Sequence, residues 1–212
     1  MISKNEFFQR WSHLHSGSPV TGIVGAWLSI SYRCGLVATL LRITPNALTL
    51  LGLLAAVATA YWALSLWAIA LLVFSLFCDG IDGSVAIFQK KESARGAIFD
   101  SVADRISEAM WLVALYRIGV PAWITILLWV IASVQEYARA RLSSLGVAEI
   151  GVVTPVERPV RASFIFIALI MWHANIAGVT YLSIAYLVLQ TISVNLVVRF
   201  ARSQLHEPQF RH

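Results

Sequence analysis

The chain has 212 residues, 58% of them hydrophobic and 13% charged, with a formal net charge of +5 and a mean hydropathy of +0.74. A composition this apolar excludes a soluble domain of this size and points to an all-α integral membrane protein. The basic balance, with a pI near 9.6, suits an anionic lipid surface, so a nucleic-acid partner is not required to explain it.

A helix needs about 20 apolar residues to cross the hydrocarbon core, which leaves room for roughly six crossings in one bundle. Cys34 and Cys78 are too few for a disulfide framework and read as buried free thiols. Lys4, Glu6 and Arg10 break up the apolar core that a cleavable secretory signal would need, so none is expected.

Residues 1–18 set Phe7, Phe8 and Trp11 beside Lys4 and Arg10, a pattern that suits a helix lying in the interface. Val20 to Leu41 is long enough to span, but Ser29, Ser31, Tyr32 and Arg33 interrupt it. A central arginine costs about 2.5–3.5 kcal/mol on insertion. The segment therefore reads as a second amphipathic helix, making 1–43 a juxtamembrane region, with a seventh crossing as the alternative. Thr44-Pro45-Asn46 opens the first crossing, since proline at the first helical position loses no needed hydrogen bond. That crossing is expected over 47–64 and the second over 68–88. The third is expected over 94–117, and the fourth from Pro121 into the polar run Gln135 to Arg141. A loop containing EIGVVTPVERP leads to the fifth, from Val160 to about His173, and the sixth ends at Arg199. The six-helix bundle then covers 44–201 and a cytoplasmic tail 202–212.

With a cytoplasmic N-terminus, Lys4, Arg10, Arg42, Lys90, Lys91, Arg95, Arg139, Arg141, Arg158, Arg161, Arg199, Arg202 and Arg211 all fall at cytoplasmic ends, Arg105 lies less than three turns inside one, and only Arg117 falls outside. The positive-inside rule requires that asymmetry. It predicts a multi-pass protein of the cell (inner or plasma) membrane whose polar end faces the cytoplasm. Trp62, Trp67, Trp123 and Trp172 fit an outer interfacial belt. His13, His15, His173, His206 and His212 show no ligand spacing and receive no role.

The stretch from Asp79 to Asp104 departs from this apolar background. On a helix Asp79 and Asp82 share a face continued by Gly83 and Ala86, while Gly96, Asp100 and Asp104 recur every fourth residue on a second helix. Four aspartates in a low-dielectric site require neutralising cations, and carboxylate ligation favours Mg²⁺ or Mn²⁺, one ion or two. Two metals held by carboxylates grip phosphate oxygens and assist in-line displacement at phosphorus. Gly83, Ala86 and Gly96 leave space where a phosphate-bearing group can approach the backbone; the same small residues also serve helix packing. Intramembrane acids also mark ion pathways, so a divalent-metal transporter is the alternative from another class. The apolar outer stretches WALSLWAIALL and ALIMW weigh against a polar path. Glu108, one turn beyond Asp104, is a further intramembrane acid, expected either to support the site or to bond helix backbone.

The order Asp79-x2-Asp82-Gly83-x2-Ala86, then Gly96-x3-Asp100-x3-Asp104, resembles the signature of the CDP-alcohol phosphotransferases (CDP-alcohol phosphatidyltransferases), as does TPNALTLLG at 44–52. The resemblance covers most of the chain from Arg42 onward and departs at one place, Ile87, where the family pattern has arginine. It implies a six-helix enzyme, usually a homodimer, that transfers a phosphatidyl group from CDP-diacylglycerol to an alcohol and releases CMP. By the same resemblance, Asp79, Asp82 and Asp100 hold the first metal, and Asp79, Asp100 and Asp104 the second. Asp104 takes the acceptor's proton, and Gly83, Ala86 and Gly96 line the CDP pocket. Arg139, Arg141, Arg158 and Arg161 form a cationic group suited to the phosphate of the acceptor. A free alcohol such as serine would not need so many cations. Glycerol 3-phosphate is the expected acceptor, with inositol phosphate as the alternative.

Overall fold

The computed structural model describes residues 2–14, 20–147 and 154–205, all helix and turn with no strand among them. The tail from 206, His15 and the EIGVV part of the long loop lie outside the described residues. Among the described residues eight helices follow in order: α1 (Lys4–Leu14), α2 (Gly22–Leu40), α3 (Pro45–Tyr61), α4 (Trp67–Gln89), α5 (Ala94–Arg117), α6 (Ala122–Ser144), α7 (Arg158–His173) and α8 (Val179–Leu205). They form two compact units, residues 1–58 with 70–107, and residues 59–69 with 108–212.

By length and apolar composition two helices can cross a membrane, Trp67–Gln89 and Val179–Gln204. A third counts only if α2 and α3 are joined, and these are bent by 109°. Six crossings are thus more than length and composition alone support. The reasons are local: α3 has 17 residues and α7 has 16, short of the usual span. Meanwhile α5 carries Asp100, Asp104, Arg105 and Glu108, and α6 ends in EYARAR. The bend between α2 and α3 turns on Arg42, whose φ of 58° is left-handed.

In the first unit, α4 packs through small residues. A Cβ added to Gly80 would meet the Trp27 ring at 2.3 Å, so only glycine admits α2 there. The Ser31 hydroxyl donates to the Gly80 carbonyl at 3.1 Å and stands 2.5 Å from the Ser84 hydroxyl. Against α3, the Ser75 hydroxyl donates to the Gly52 carbonyl at 2.7 Å, and Ala38, Leu48, Cys78, Ile81 and Val85 close a core. Both cysteines are free, Cys78 buried and Cys34 half-buried. The aromatic face of α1 docks onto this assembly: Phe7 stacks on Phe88 at 5.2 Å and packs with Leu28 and Ile87.

The second unit buries Trp111, Leu115, Ile124, Leu128, Ile165 and Leu169. Helices α6 and α8 are tied across that core by the Gln190 amide, which donates to Gln135 at 2.9 Å. Arg117 donates to the carbonyls of Ala60 (2.7 Å) and Tyr61, capping the C-terminus of α3, where carbonyls lack helical partners.

Candidate active site

The two acid-bearing helices of the first unit are joined by a tight turn. At the end of α4 the Lys91 amide donates to the Ala86 carbonyl at 2.9 Å and the Lys90 amide to Ile87 at 3.3 Å. With Lys90 at φ 52°, this is a Schellman-type stop. Ser93 then caps α5 by accepting from the Gly96 amide at 3.1 Å. Glycine suits that position because an added Cβ would stand 3.1 Å from the Ser93 hydroxyl oxygen.

This hairpin gathers Asp79, Asp100 and Asp104, each half-buried, with one carboxylate oxygen apiece within 4.8 Å of the others. Three hard oxygen donors at that spacing fit a divalent cation. Asp82 lies outside this trio. Its buried carboxylate accepts a 2.6 Å hydrogen bond from the Thr49 hydroxyl of α3, while remaining close enough to Asp100 and Asp79 to interact with both electrostatically. Thr49 was not among the residues read from the sequence; the signal available was a hydroxyl one turn inside a helix opened by Pro45, itself bonded to the Pro45 carbonyl at 3.2 Å.

The small residues divide by use. Gly35, Gly52 and Gly80 are packing contacts, but an added Cβ at Gly83 meets nothing within 4 Å. Gly83 is exposed and Ala86 half-buried, so Gly83 borders open space on the helix that carries Asp79 and Asp82. Ile87 instead faces the aromatic cluster of α1 and α2, 2% exposed, where an arginine would lose its water.

In the second unit the four arginines are not equivalent. Arg139 forms a bidentate pair with Glu157, both bonds at 2.7 Å. Arg161, 2% exposed, has Nε 3.0 Å from a Glu108 carboxylate oxygen and donates through Nη2 to Glu136 at 2.5 Å. The Glu108 contact is an ion pair by distance. Arg158 lies over the Trp111 ring at 5.5 Å, and Arg141 is exposed, 3.5 Å from the neighbouring Ser144 hydroxyl. Burial pushes the Glu157 carboxyl up, but hydrogen bonds from Arg139 and from the hydroxyl and amide of Thr154 outweigh it and hold the group at about 2.

Half-buried carboxylates at ligand distance inside an apolar helical chain define a membrane protein with a site suited to a hard divalent cation. The chain belongs to the CDP-alcohol phosphatidyltransferase family, whose pattern matches residues 42–198, and it is an enzyme of that class in phospholipid biosynthesis; the transporter alternative falls. It is 34% identical over 142 residues to an archaetidylinositol phosphate synthase of Pyrococcus horikoshii, covering 64% of this chain and 74% of the relative. Among solved structures it resembles the phosphatidylinositol phosphate synthase of Mycobacterium tuberculosis with CDP-DAG bound. That match has a TM-score of 0.69 at 22% identity and covers 87% of this chain and 98% of the other. A second structure of that enzyme, with manganese and citrate, matches with the same TM-score and identity over 86% and 92%.

Proposed function

We propose that this enzyme transfers the phosphatidyl group of CDP-diacylglycerol to an inositol phosphate, releasing CMP. The carrying observation is the grouping of Asp79, Asp100 and Asp104 within 4.8 Å, on the hairpin whose Gly83 borders open space. The acceptor reading draws on the names of the relatives: the archaeal relative and the mycobacterial fold neighbour both make inositol phosphate lipids. The expectation of glycerol 3-phosphate has no such support and gives way to the inositol phosphate alternative.

Asp79, Asp100 and Asp104, with Asp82 adjoining, would hold Mg²⁺ or Mn²⁺, one ion or two, which when bound supplies positive charge to the pyrophosphate oxygens. The rest falls to the chain. Gly83, Ala86 and Gly96 admit the nucleotide against the helix backbone. The Thr49 hydrogen bond orients Asp82. Asp104 takes the proton of the acceptor hydroxyl; the oxygen forms its bond to the lipid-bearing β-phosphorus as the bond to CMP breaks. Arg139 and Arg158 receive the acceptor's phosphate. Arg161, enclosed by Glu108 and Glu136, is a clamp between α5, α6 and α7, and Arg141 faces the headgroup region.

The charge asymmetry supports a six-crossing arrangement with the acids opening toward the cytoplasm and α1 and α2 lying at the interface, and the family resemblance supports a homodimer. Purified full-length protein with CDP-diacylglycerol and Mg²⁺ tests the chemistry through CMP release. Inositol phosphate should support release at a higher rate than glycerol 3-phosphate, and Asp104→Asn should abolish it. Faster release with glycerol 3-phosphate, or none with either acceptor, refutes the proposal.

A further inference from the structure

We propose that Glu157 is a specificity-determining residue: its carboxylate occupies the guanidinium fork of Arg139 until the phosphate dianion of the acceptor displaces it. The inference rests on the reading of Arg139 as a ligand of that phosphate.

Four donors converge on this one carboxylate. Arg139 supplies Nη1 to Oε2 and Nη2 to Oε1, each at 2.7 Å. The Thr154 amide and hydroxyl both reach Oε1, at 2.8 and 2.7 Å. A planar fork, a backbone N–H and a hydroxyl make the donor set that recognises phosphate oxygens, so carboxylate and phosphomonoester compete for one geometry. The cradle has anchors besides its occupant, because the Thr154 hydroxyl oxygen accepts from Gln135 at 3.3 Å and from Arg139 at 3.2 Å.

Accessibility separates this pair from its neighbour. The side chains of Arg139 and Glu157 are 26% and 32% exposed, so the carboxylate can rotate into water at small desolvation loss. Arg161, between Glu108 and Glu136, has no such exit. Charge points the same way: Arg139 and Arg161 pair with Glu108, Glu136 and Glu157, two cations against three acids. With Glu157 in place the group offers no net attraction to an anion. A dianion outcompetes a monoanion for the fork, and an uncharged alcohol offers nothing to the guanidinium, so the carboxylate enforces a phosphorylated acceptor.

The test uses full-length protein with CDP-diacylglycerol and Mg²⁺, measuring the KM for inositol phosphate and the inhibition constant of inorganic phosphate against it. Glu157→Gln removes the competing charge and should lower both by about tenfold, one charged hydrogen bond's worth, with a smaller change in kcat. Glu157→Asp, one methylene shorter, should fall between parent and glutamine, and it serves if the glutamine variant does not fold. A KM above the parent's in either variant overturns the proposal. Arg139→Ala separates the two levels of inference: it should raise KM and weaken inhibition by phosphate. If it moves neither, Arg139 is no acceptor ligand; if it moves both while Glu157→Gln raises KM, only the role of Glu157 fails.

Discussion

Arg161 is buried between two acids of unequal exposure, and that inequality sets what its removal does. Arg161 and Glu108 are 2% and 4% exposed, whereas Glu136 is 27% exposed. In Arg161→Met, Glu136 can recover water but Glu108 keeps a charge inside the protein. Breaking a buried pair from one side costs about 3–5 kcal/mol, most of it the stranded charge. In Glu108→Gln, Arg161 retains the 2.5 Å contact to Glu136, so the loss is that of one contact between charged neighbours, about 0.5–3 kcal/mol. The double variant strands nothing at Glu108 and should be more stable than Arg161→Met alone, with a coupling of about 2 kcal/mol within the range for contacting residues. SDS titration in detergent micelles, followed by the intrinsic fluorescence of the eight tryptophans, the buried Trp111 among them, measures all four proteins. An Arg161→Met variant within about 0.5 kcal/mol of the parent, the range of an ordinary surface substitution, or a double variant no better than that single one, would refute the reasoning.

Four further outcomes follow from other contacts. Gly80→Ala should destabilise by about 1–3 kcal/mol because its Cβ would drive into Trp27; Gly83→Ala should leave stability equal or improved while raising the KM for the CDP-lipid, as thermal melts and CMP release will read. Ile87→Arg, which restores the family residue, should lower stability by at least about 3 kcal/mol, since it exchanges apolar burial beside Phe7 and Leu28 for a buried cation; a parent-like melt with faster turnover would place that position in contact with substrate instead. Because the folded-state Glu157 carboxyl is held at about 2 against an ordinary 4.5, its contribution is complete above 4.5 and disappears as pH falls toward 2. The melting-temperature gap between parent and Glu157→Gln should therefore close across that window.

The acid hairpin was legible in the sequence because its information is local. Three- and four-residue spacings fix a helix face, and the turn at Lys90 to Ser93 brings two such faces together. Helix positions were legible for the same reason: α4 and α5 begin and end within a residue of their expected limits, whereas α3 stops at Tyr61, before the expected limit at residue 64, α6 runs past Arg141 to Ser144, and α8 runs on past Arg199 to Leu205. What spacing does not encode is the partner. Asp82 meets Thr49 from 33 positions away, and Arg161 meets Glu136 from 25. The four arginines looked alike in the chain but separate into a bidentate pair, a clamp, a ring contact and a surface charge. A clue was present in the composition, since Glu136 and Glu157 stand in the same polar segments as Arg139 and Arg158. Likewise the glycines are chemically identical in sequence, yet Gly80 is filled by Trp27 and Gly83 is open.

Arg117 stood out as the lone cation at the far end of the charge pattern, and its two bonds to the end of α3 bear on biogenesis. On the six-crossing arrangement it is the arginine that must be carried through the hydrocarbon, an uphill step of about 2.5–3.5 kcal/mol at the bilayer centre. The carbonyls of Ala60 and Tyr61 that receive it belong to a helix synthesised two helices earlier, so the acceptor is already waiting when α5 emerges. On that arrangement the residue that breaks the topological rule would act as a checkpoint, favouring insertion of α5 where α3 has already reached the opposite face.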